Sequence, residues 1–156
     1  MEGKKMIRWI TSRDLHSIVK ISQQTETGLE ASEILTWMKQ LNTVGVAYDN
    51  DEGELIGFAF WDVDEDDIRL TYIAVDEKHR NQGVGSRLIS RLFPSCSRRK
   101  VKPVRCVVPE DFLDFQLFLR NYGFRAVGVS RRHFGDLDGY EMVCKERCTA
   151  DQLVKS

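Results

Sequence analysis

Leu70-Thr71-Tyr72-Ile73-Ala74-Val75-Asp76-Glu77-Lys78-His79-Arg80-Asn81-Gln82-Gly83-Val84-Gly85-Ser86-Arg87-Leu88-Ile89-Ser90-Arg91-Leu92 is the most informative stretch of the 156-residue chain. Leu70 to Val75 is a nearly unbroken apolar run, as expected of a strand buried on both faces at the centre of a sheet. Val84, Leu88, Ile89, Leu92 and Phe93 then recur at helical spacing, and Pro94 stops or kinks that helix because it lacks the N–H and clashes with the preceding turn. Arg80-x-x-Gly83-x-Gly85 lies between, at the helix mouth. A helix N-terminus exposes unpaired N–H groups and a partial positive charge, so it can bind a phosphate. Gly83 and Gly85 let the backbone approach such an anion closely, and the Arg80 guanidinium offers a planar fork to its oxygens. Two readings compete: an anion-binding loop, or a glycine-softened turn that binds nothing. The stretch is neither a Gly-x-x-x-x-Gly-Lys-Ser/Thr loop nor a Gly-x-Gly-x-x-Gly dinucleotide fingerprint.

Upstream, Met6 to Ile10 reads as a short strand. Thr11 or Ser12 caps the next helix, with Asp14 in its first turn and Leu15, Ile18 and Val19 on one face. The polar stretch Gln23 to Glu30 is broken by Gly28. A second helix, over about Ser32 to Leu41, is expected to bury Ile34, Leu35, Met38 and Leu41. Val44, Val46 and Tyr48 alternate as in a strand, Asp49-Asn50-Asp51-Glu52-Gly53 is a hairpin turn, and Leu55 to Trp61 is the return strand. Asp62 to Asp67 reads as a solvated acidic hairpin tip rather than a metal site. Downstream, the basic stretch Arg98-Arg99-Lys100-Val101-Lys102 leads into a strand from about Val104 to Val108. Asp111 is expected to cap a helix carrying Phe112, Phe115, Leu119 and Tyr122, which Gly123 ends in the left-handed conformation. Strands over Phe124 to Arg131 and about Tyr140 to Lys145 follow. The order β-α-α-β-β-β-α-β-α-β-β describes one mixed α/β domain over residues 1–156, with a core of about 6–147 and a short C-terminal tail, without repeats or linkers.

Composition narrows the function. Apolar residues make 42%, charged residues 30% and aromatics 10%, an ordinary globular mixture that excludes a disordered or fibrous chain. Twenty-three Lys+Arg against 24 Asp+Glu give a net charge of −1, which argues against a whole-surface nucleic-acid binder. The basic stretch at 98–102, with Arg105 and the Arg131-Arg132 pair, is a patch for ribosomal RNA or an acidic partner, or, as the balanced charge favours, a solvated surface. No apolar run approaches the roughly 18–20 residues that span a bilayer, and Met1-Glu2-Gly3-Lys4-Lys5 offers no apolar stretch for a secretory signal. A soluble cytoplasmic protein, monomer or homodimer, with no membrane partner is therefore expected. Cys96, Cys106, Cys144 and Cys148 carry no Cys-x-x-Cys spacing and no nearby His completes a ligand set, so they read as reduced structural thiols and no metal is expected.

The segment Leu70 to Asp76 joined to Arg80-x-x-Gly83-x-Gly85-Ser86-x-Leu88 resembles the acetyl-CoA-binding motif of the GNAT N-acetyltransferase superfamily. Phe118-Leu119-Arg120-Asn121-Tyr122-Gly123-Phe124-Arg125 is similar to that family's helix-to-strand element ending in Gly-Phe. The last third, with Arg131-Arg132-His133-Phe134 and Met142, most resembles the RimI-type ribosomal-protein alanine N-acetyltransferases. The resemblance implies an acyl-CoA N-acyltransferase fold, α/β (α+β), with a central mixed sheet of about seven strands flanked by about four helices. It also implies acetyl transfer from acetyl-CoA to a primary amine, such as the N-terminus of a ribosomal protein. The pyrophosphate would sit on the N–H groups of Gln82, Gly83, Val84, Gly85 and Ser86, beside Arg80 and Asn81. The pantetheine arm would pair like an extra strand with the backbone of Ile73, Ala74 and Val75, in a gap beside that strand, and an N–H there would polarise the thioester carbonyl. Asn121 would touch CoA, or simply close its helix.

The catalytic positions depart from the family. The RimI-type glutamate falls on Val107, the proton-donating tyrosine on Leu119 and the asparagine of the same helix on Phe112, while Gly28-Leu29-Glu30-Ala31-Ser32 replaces the Pro-Trp-Ser signature. Glu110 is a candidate base acting through water, against a plain helix-dipole or solvated role. Tyr72 is a candidate acid, against a core role. His79 and His133 are further candidates of the residue type suited to proton transfer but stand in loops, His133 nearer an acceptor mouth. Delivering a neutral amine at pH 7 costs about 1 kcal/mol for an α-amine of pKa near 7.8 and about 4.6 kcal/mol for a lysine near 10.4, so an N-terminal acceptor needs little help from a base. Other readings are a catalytically silent CoA-binding or regulatory domain and an acetyltransferase for a small-molecule amine.

Overall fold

Strands and helices alternate as the sequence pattern predicts: β1 (Ile7–Trp9), α1 (Leu15–Ser22), α2 (Ala31–Lys39), β2 (Thr43–Asp49), β3 (Leu55–Val63), β4 (Ile68–Val75), α3 (Val84–Ser90), β5 (Val104–Pro109), α4 (Leu113–Asn121), β6 (Arg125–Phe134) and β7 (Leu137–Cys144). The computed structural model describes residues 7–25, 28–92 and 102–145. The strands form one seven-stranded mixed sheet in the order β1-β2-β3-β4-β5-β7-β6. Its parallel pair is β4 with β5, Ile68 facing Val104 and Arg69 facing Arg105. A parallel connection requires a crossover, and α3 lies within it. The chain divides into two compact units, Met1–Val63 with Leu70–Arg91, and Asp64–Arg69 with Leu92–Ser156.

In the first unit, β2 pairs antiparallel with both β1 and β3. Thr11 caps a short turn at Ser12–Asp14 and not the helix itself, since Thr11 N–H donates to Asp14 Oδ2 at 2.8 Å, Asp14 N–H donates to the Thr11 carbonyl at 3.0 Å, and α1 starts only after Asp14. Ile18 and Ile21 of α1 join Leu29, Ile34, Phe58 and Phe60 in a buried cluster. The Trp37 ring lies 5.2 Å from that of Phe60, and Tyr72 stacks on Phe58 at 5.7 Å. On the other side of β3, a Cβ on Gly57 would lie 2.9 Å from Val84 Cγ1, so the missing side chain is what lets α3 pack this closely. The second helix departs from expectation. It ends at Lys39, Gln40 is extended, and Leu35 and Leu41 are exposed. The apolar spacing runs on past the point where the chain turns toward β2. β4 also differs, because only Leu70 is buried and Thr71 to Val75 are half-buried.

In the second unit, β7 runs antiparallel between β5 and β6. Val104, Cys106, Val108, Leu119, Phe124, Met142 and Cys144 are buried. Burial pushes the Cys106 thiol up to about 12, which keeps it protonated, and the Cys144 thiol donates to the Tyr122 carbonyl at 3.5 Å. Asp111 does not cap α4. Phe112 occupies the cap with no side-chain bond, while Gln116 Nε2 donates to the Pro109 and Glu110 carbonyls at 3.0 and 3.1 Å. Gly123, at φ 95°, ends α4 as predicted, with Gly123 N–H bonded to the Arg120 carbonyl and Phe124 N–H to that of Leu119. The final hairpin is longer than expected, continuing to Phe134 and Leu137. Register shifts within it interrupt the two-residue alternation that reveals a strand. The acidic turn is not merely solvated: Lys102 Nζ donates to the Asp64 carbonyl at 2.7 Å and Arg105 Nε to Asp67 at 2.9 Å. Met6, Phe93, Pro94, Arg98, Arg99, Lys100, Val101, Cys96 and Cys148 lie outside the described residues.

Candidate active site

The loop from Asp76 to Gly83 joins β4 to α3 within the first unit. Its first half is tied down. Asp76 N–H donates to the Ile56 carbonyl at 2.8 Å, and a short turn at Glu77–His79 closes through His79 N–H to the Asp76 carbonyl at 2.8 Å. Its second half is shaped by two left-handed residues, Asn81 at φ 64° and Gly83 at φ 85°. Asparagine tolerates that region better than most side chains and glycine enters it without strain. The Gly83 carbonyl accepts the N–H of Arg87 at 3.1 Å, beginning α3, so the N–H groups ahead of Arg87 have no partner within the helix. Nothing lies within 4 Å of a Cβ built on Gly83, so its requirement is one of backbone conformation and not of space.

Arg80 leans back onto β4, its Nε donating to the Val75 carbonyl at 2.9 Å, while the residue stays exposed. The first unit thus brings together Arg80, Asn81, Gln82, Gly83, Val84, Gly85 and Ser86 with Ile73, Ala74 and Val75 at the end of β4. Val84 is buried under the helix, whereas Asn81, Gln82 and Gly83 are exposed. Sequence reading missed two supports of this loop, Gln24 and Tyr48. Gln24 meets Asp76 and Glu77 across more than fifty positions of sequence, and the Tyr48 hydroxyl accepts from Arg87 Nη1 at 2.8 Å. Neither belongs to a motif, so no local pattern marks them.

The candidate acid and base are held by other contacts. Tyr72 presents its ring to Phe58 and Trp37 in the apolar cluster. In the second unit, Glu110 Oε2 accepts the Asp138 N–H at 3.2 Å, and Glu110 N–H donates to the Asp138 carbonyl at 2.9 Å, so this residue braces β7 beside the turn of the β6–β7 hairpin. Val107 pairs with Glu141 on β7, Leu119 is fully buried, and Asn121 is the exposed last residue of α4. His133 is exposed, with Nδ1 3.0 Å from Ser130 Oγ. His79 Nδ1 lies 2.8 Å from Asp76 Oδ2. Among the described residues no helix is long and apolar enough to cross a membrane.

The chain is 24% identical to the uncharacterized protein YxbD of Bacillus subtilis over 76 residues, 49% of this chain and 46% of that protein, so the match spans under half of that relative's length. The fold is similar to that of the ribosomal-protein-S18-alanine N-acetyltransferase of Escherichia coli, with a TM-score of 0.78 at 20% identity over 88% of this chain and 91% of the other. An aminoglycoside 6′-N-acetyltransferase complexed with coenzyme A gives a TM-score of 0.71 at 18% identity, over 89% of this chain and 96% of that one. At such identities the likeness is one of fold. A sequence profile described as the acetyltransferase (GNAT) domain matches residues 40–126, more than half of the chain. Because that span contains β4, the Arg80–Gly85 loop and α4 together, the sequence motif and the folded site identify the same element, and the chain belongs to the GNAT acetyltransferase family.

Proposed function

We propose that the chain is an N-acetyltransferase that moves the acetyl group of acetyl-CoA to a primary amine, with a protein N-terminal α-amine, such as that of a ribosomal protein, as the acceptor. The observation that carries this reading is the left-handed pair Asn81 and Gly83 beside Arg80, which leaves an exposed turn with donors at the mouth of α3. A diphosphate suits that chemistry: N–H groups of Gln82 to Ser86 donate to its oxygens and the Arg80 guanidinium balances its charge. The backbone of Ile73, Ala74 and Val75 holds the pantetheine arm, and one of its N–H groups polarises the thioester carbonyl. The amine nitrogen forms the new bond to the carbonyl carbon, the C–S bond breaks, and one amine proton ends on the departing sulfur.

The acceptor follows from the acid–base residues. Tyr72 and Glu110 remain the acid and base candidates, and both are already engaged, one in ring stacking and the other with the Asp138 N–H. An α-amine near pKa 7.8 is partly neutral at pH 7 and asks least of such a site. The likeness to a ribosomal-protein N-acetyltransferase fold supports the same class. A second reading, a CoA-binding domain without turnover, is favoured by Val107 and the buried Leu119 at the family's catalytic positions. A thiol-release assay with acetyl-CoA across N-terminal peptides, polyamines and amino acids separates these readings. Turnover confined to peptides supports the proposal, turnover on small amines alone moves the acceptor class, and silence with CoA binding intact favours the second reading.

A further inference from the structure

Gln24 stands in the turn after α1, its N–H bonded to the Ile21 carbonyl at 3.1 Å, and its side-chain amide reaches the cofactor loop with both ends. Nε2 donates to Asp76 Oδ1 at 2.8 Å, and Oε1 accepts the Glu77 N–H at 2.9 Å. The other Asp76 oxygen accepts from His79 Nδ1 at 2.8 Å. The next residue, Arg80, is fixed to the Val75 carbonyl. Asp76, Glu77 and His79 are therefore tied either to Gln24 or to the carboxylate that Gln24 holds, and Arg80 follows directly on them. We propose that Gln24 is a positioning residue for the anion-binding loop: by holding Asp76 and the Glu77 N–H at once, it fixes the path along which Arg80 and the Asn81–Gly83 turn meet the diphosphate. This inference rests on the acetyl-CoA reading above.

The electrostatics agree with that role. The Gln24 hydrogen bond, reinforced by His79, holds the Asp76 carboxyl below the usual carboxylate range despite some burial, so an ionised acceptor faces both donors. Glutamine suits the clamp because one planar amide carries a donor and an acceptor. An alanine there removes both, and a glutamate keeps an acceptor for the Glu77 N–H while setting a second carboxylate against Asp76.

The test is equilibrium binding of two probes, acetyl-CoA by isothermal titration and S-acetylpantetheine, which lacks the diphosphate, by ligand-observed NMR at millimolar concentration. Gln24→Ala is expected to bind acetyl-CoA about tenfold more weakly and S-acetylpantetheine as the wild type does. Gln24→Glu is expected to lose at least as much, and Gln24→Glu combined with Asp76→Asn, which exchanges donor and acceptor, to recover to within about threefold. An unchanged acetyl-CoA affinity in Gln24→Ala overturns the inference, as does an equal loss for both probes, which marks a general structural role. Should Gln24→Ala fail to fold, the single and double glutamate variants decide, and absence of recovery overturns the inference. A wild-type chain that does not bind acetyl-CoA overturns the functional reading and this inference with it, whereas wild-type binding unaffected by Gln24 overturns the inference alone.

Discussion

Gly83 places the demand of the proposed cofactor loop on one backbone angle. At φ 85° with open space around its missing Cβ, it could hold a side chain sterically, but at a dihedral cost of roughly 1–2 kcal/mol for most residues and more for a β-branched one. Gly83→Val is therefore expected to weaken acetyl-CoA binding by more than about tenfold, and Gly83→Asn, which tolerates the left-handed region, by less than about threefold. Titration of both variants checks this, and an unaffected valine variant would remove the loop from the account. Arg80, Gly83 and Gly85 were legible because their meaning is local: glycines and a cation at fixed spacing before a helix. Gln24 was not, since a glutamine in a polar stretch announces nothing until Asp76, far along the chain, is folded against it.

At the scale of elements, the brace at the start of the chain is the clearest electrostatic feature. Arg8 on β1 donates to Asp49 at 2.7 and 3.1 Å and to Asp14 at 3.0 Å through two nitrogens, joining β1, β2 and the turn before α1. Burial alone would push the Asp14 carboxyl up, but bonds from Arg8 and the Thr11 backbone together hold it below its ordinary value. A folded pKa below the unfolded one, near 3.9, gives stability that is present above about pH 4 and lost as pH falls through the folded value. Asp14→Asn is thus expected to lower stability by about 1–2 kcal/mol at neutral pH, the exposed half of Arg8 keeping the figure modest, with the gap from wild type closing below about pH 4. Denaturant melts at pH 3 and pH 7 measure it, and an equal gap at both would contradict the assignment. The order of elements was readable from periodicity, turn residues and Gly123. Boundaries were not where tertiary contacts decide them: Leu41 continues the α2 spacing but lies past the helix end, and register shifts hid the tip of the β6–β7 hairpin.

For the molecule as a whole, the balanced charge is compatible with the proposed local anion binding, because the donors come from one loop, and part of the remaining basicity is engaged by the acidic turn through Lys102 and Arg105. The fold was legible because a motif of wide reach, strand–Arg-x-x-Gly-x-Gly–helix, sits inside a chain whose other elements follow in the family's order. The chemistry was less so: the residues at the family's acid and base positions, Val107 and Leu119, are apolar, and Tyr72 and Glu110 are drawn into packing and hairpin contacts that composition cannot reveal. Cofactor recognition therefore comes before catalysis as the property that defines the chain's proposed role. Titration of the wild-type chain with acetyl-CoA tests this most directly. One-to-one binding with a Kd below about 1 mM is the predicted result, and no detectable binding at millimolar acetyl-CoA would contradict it.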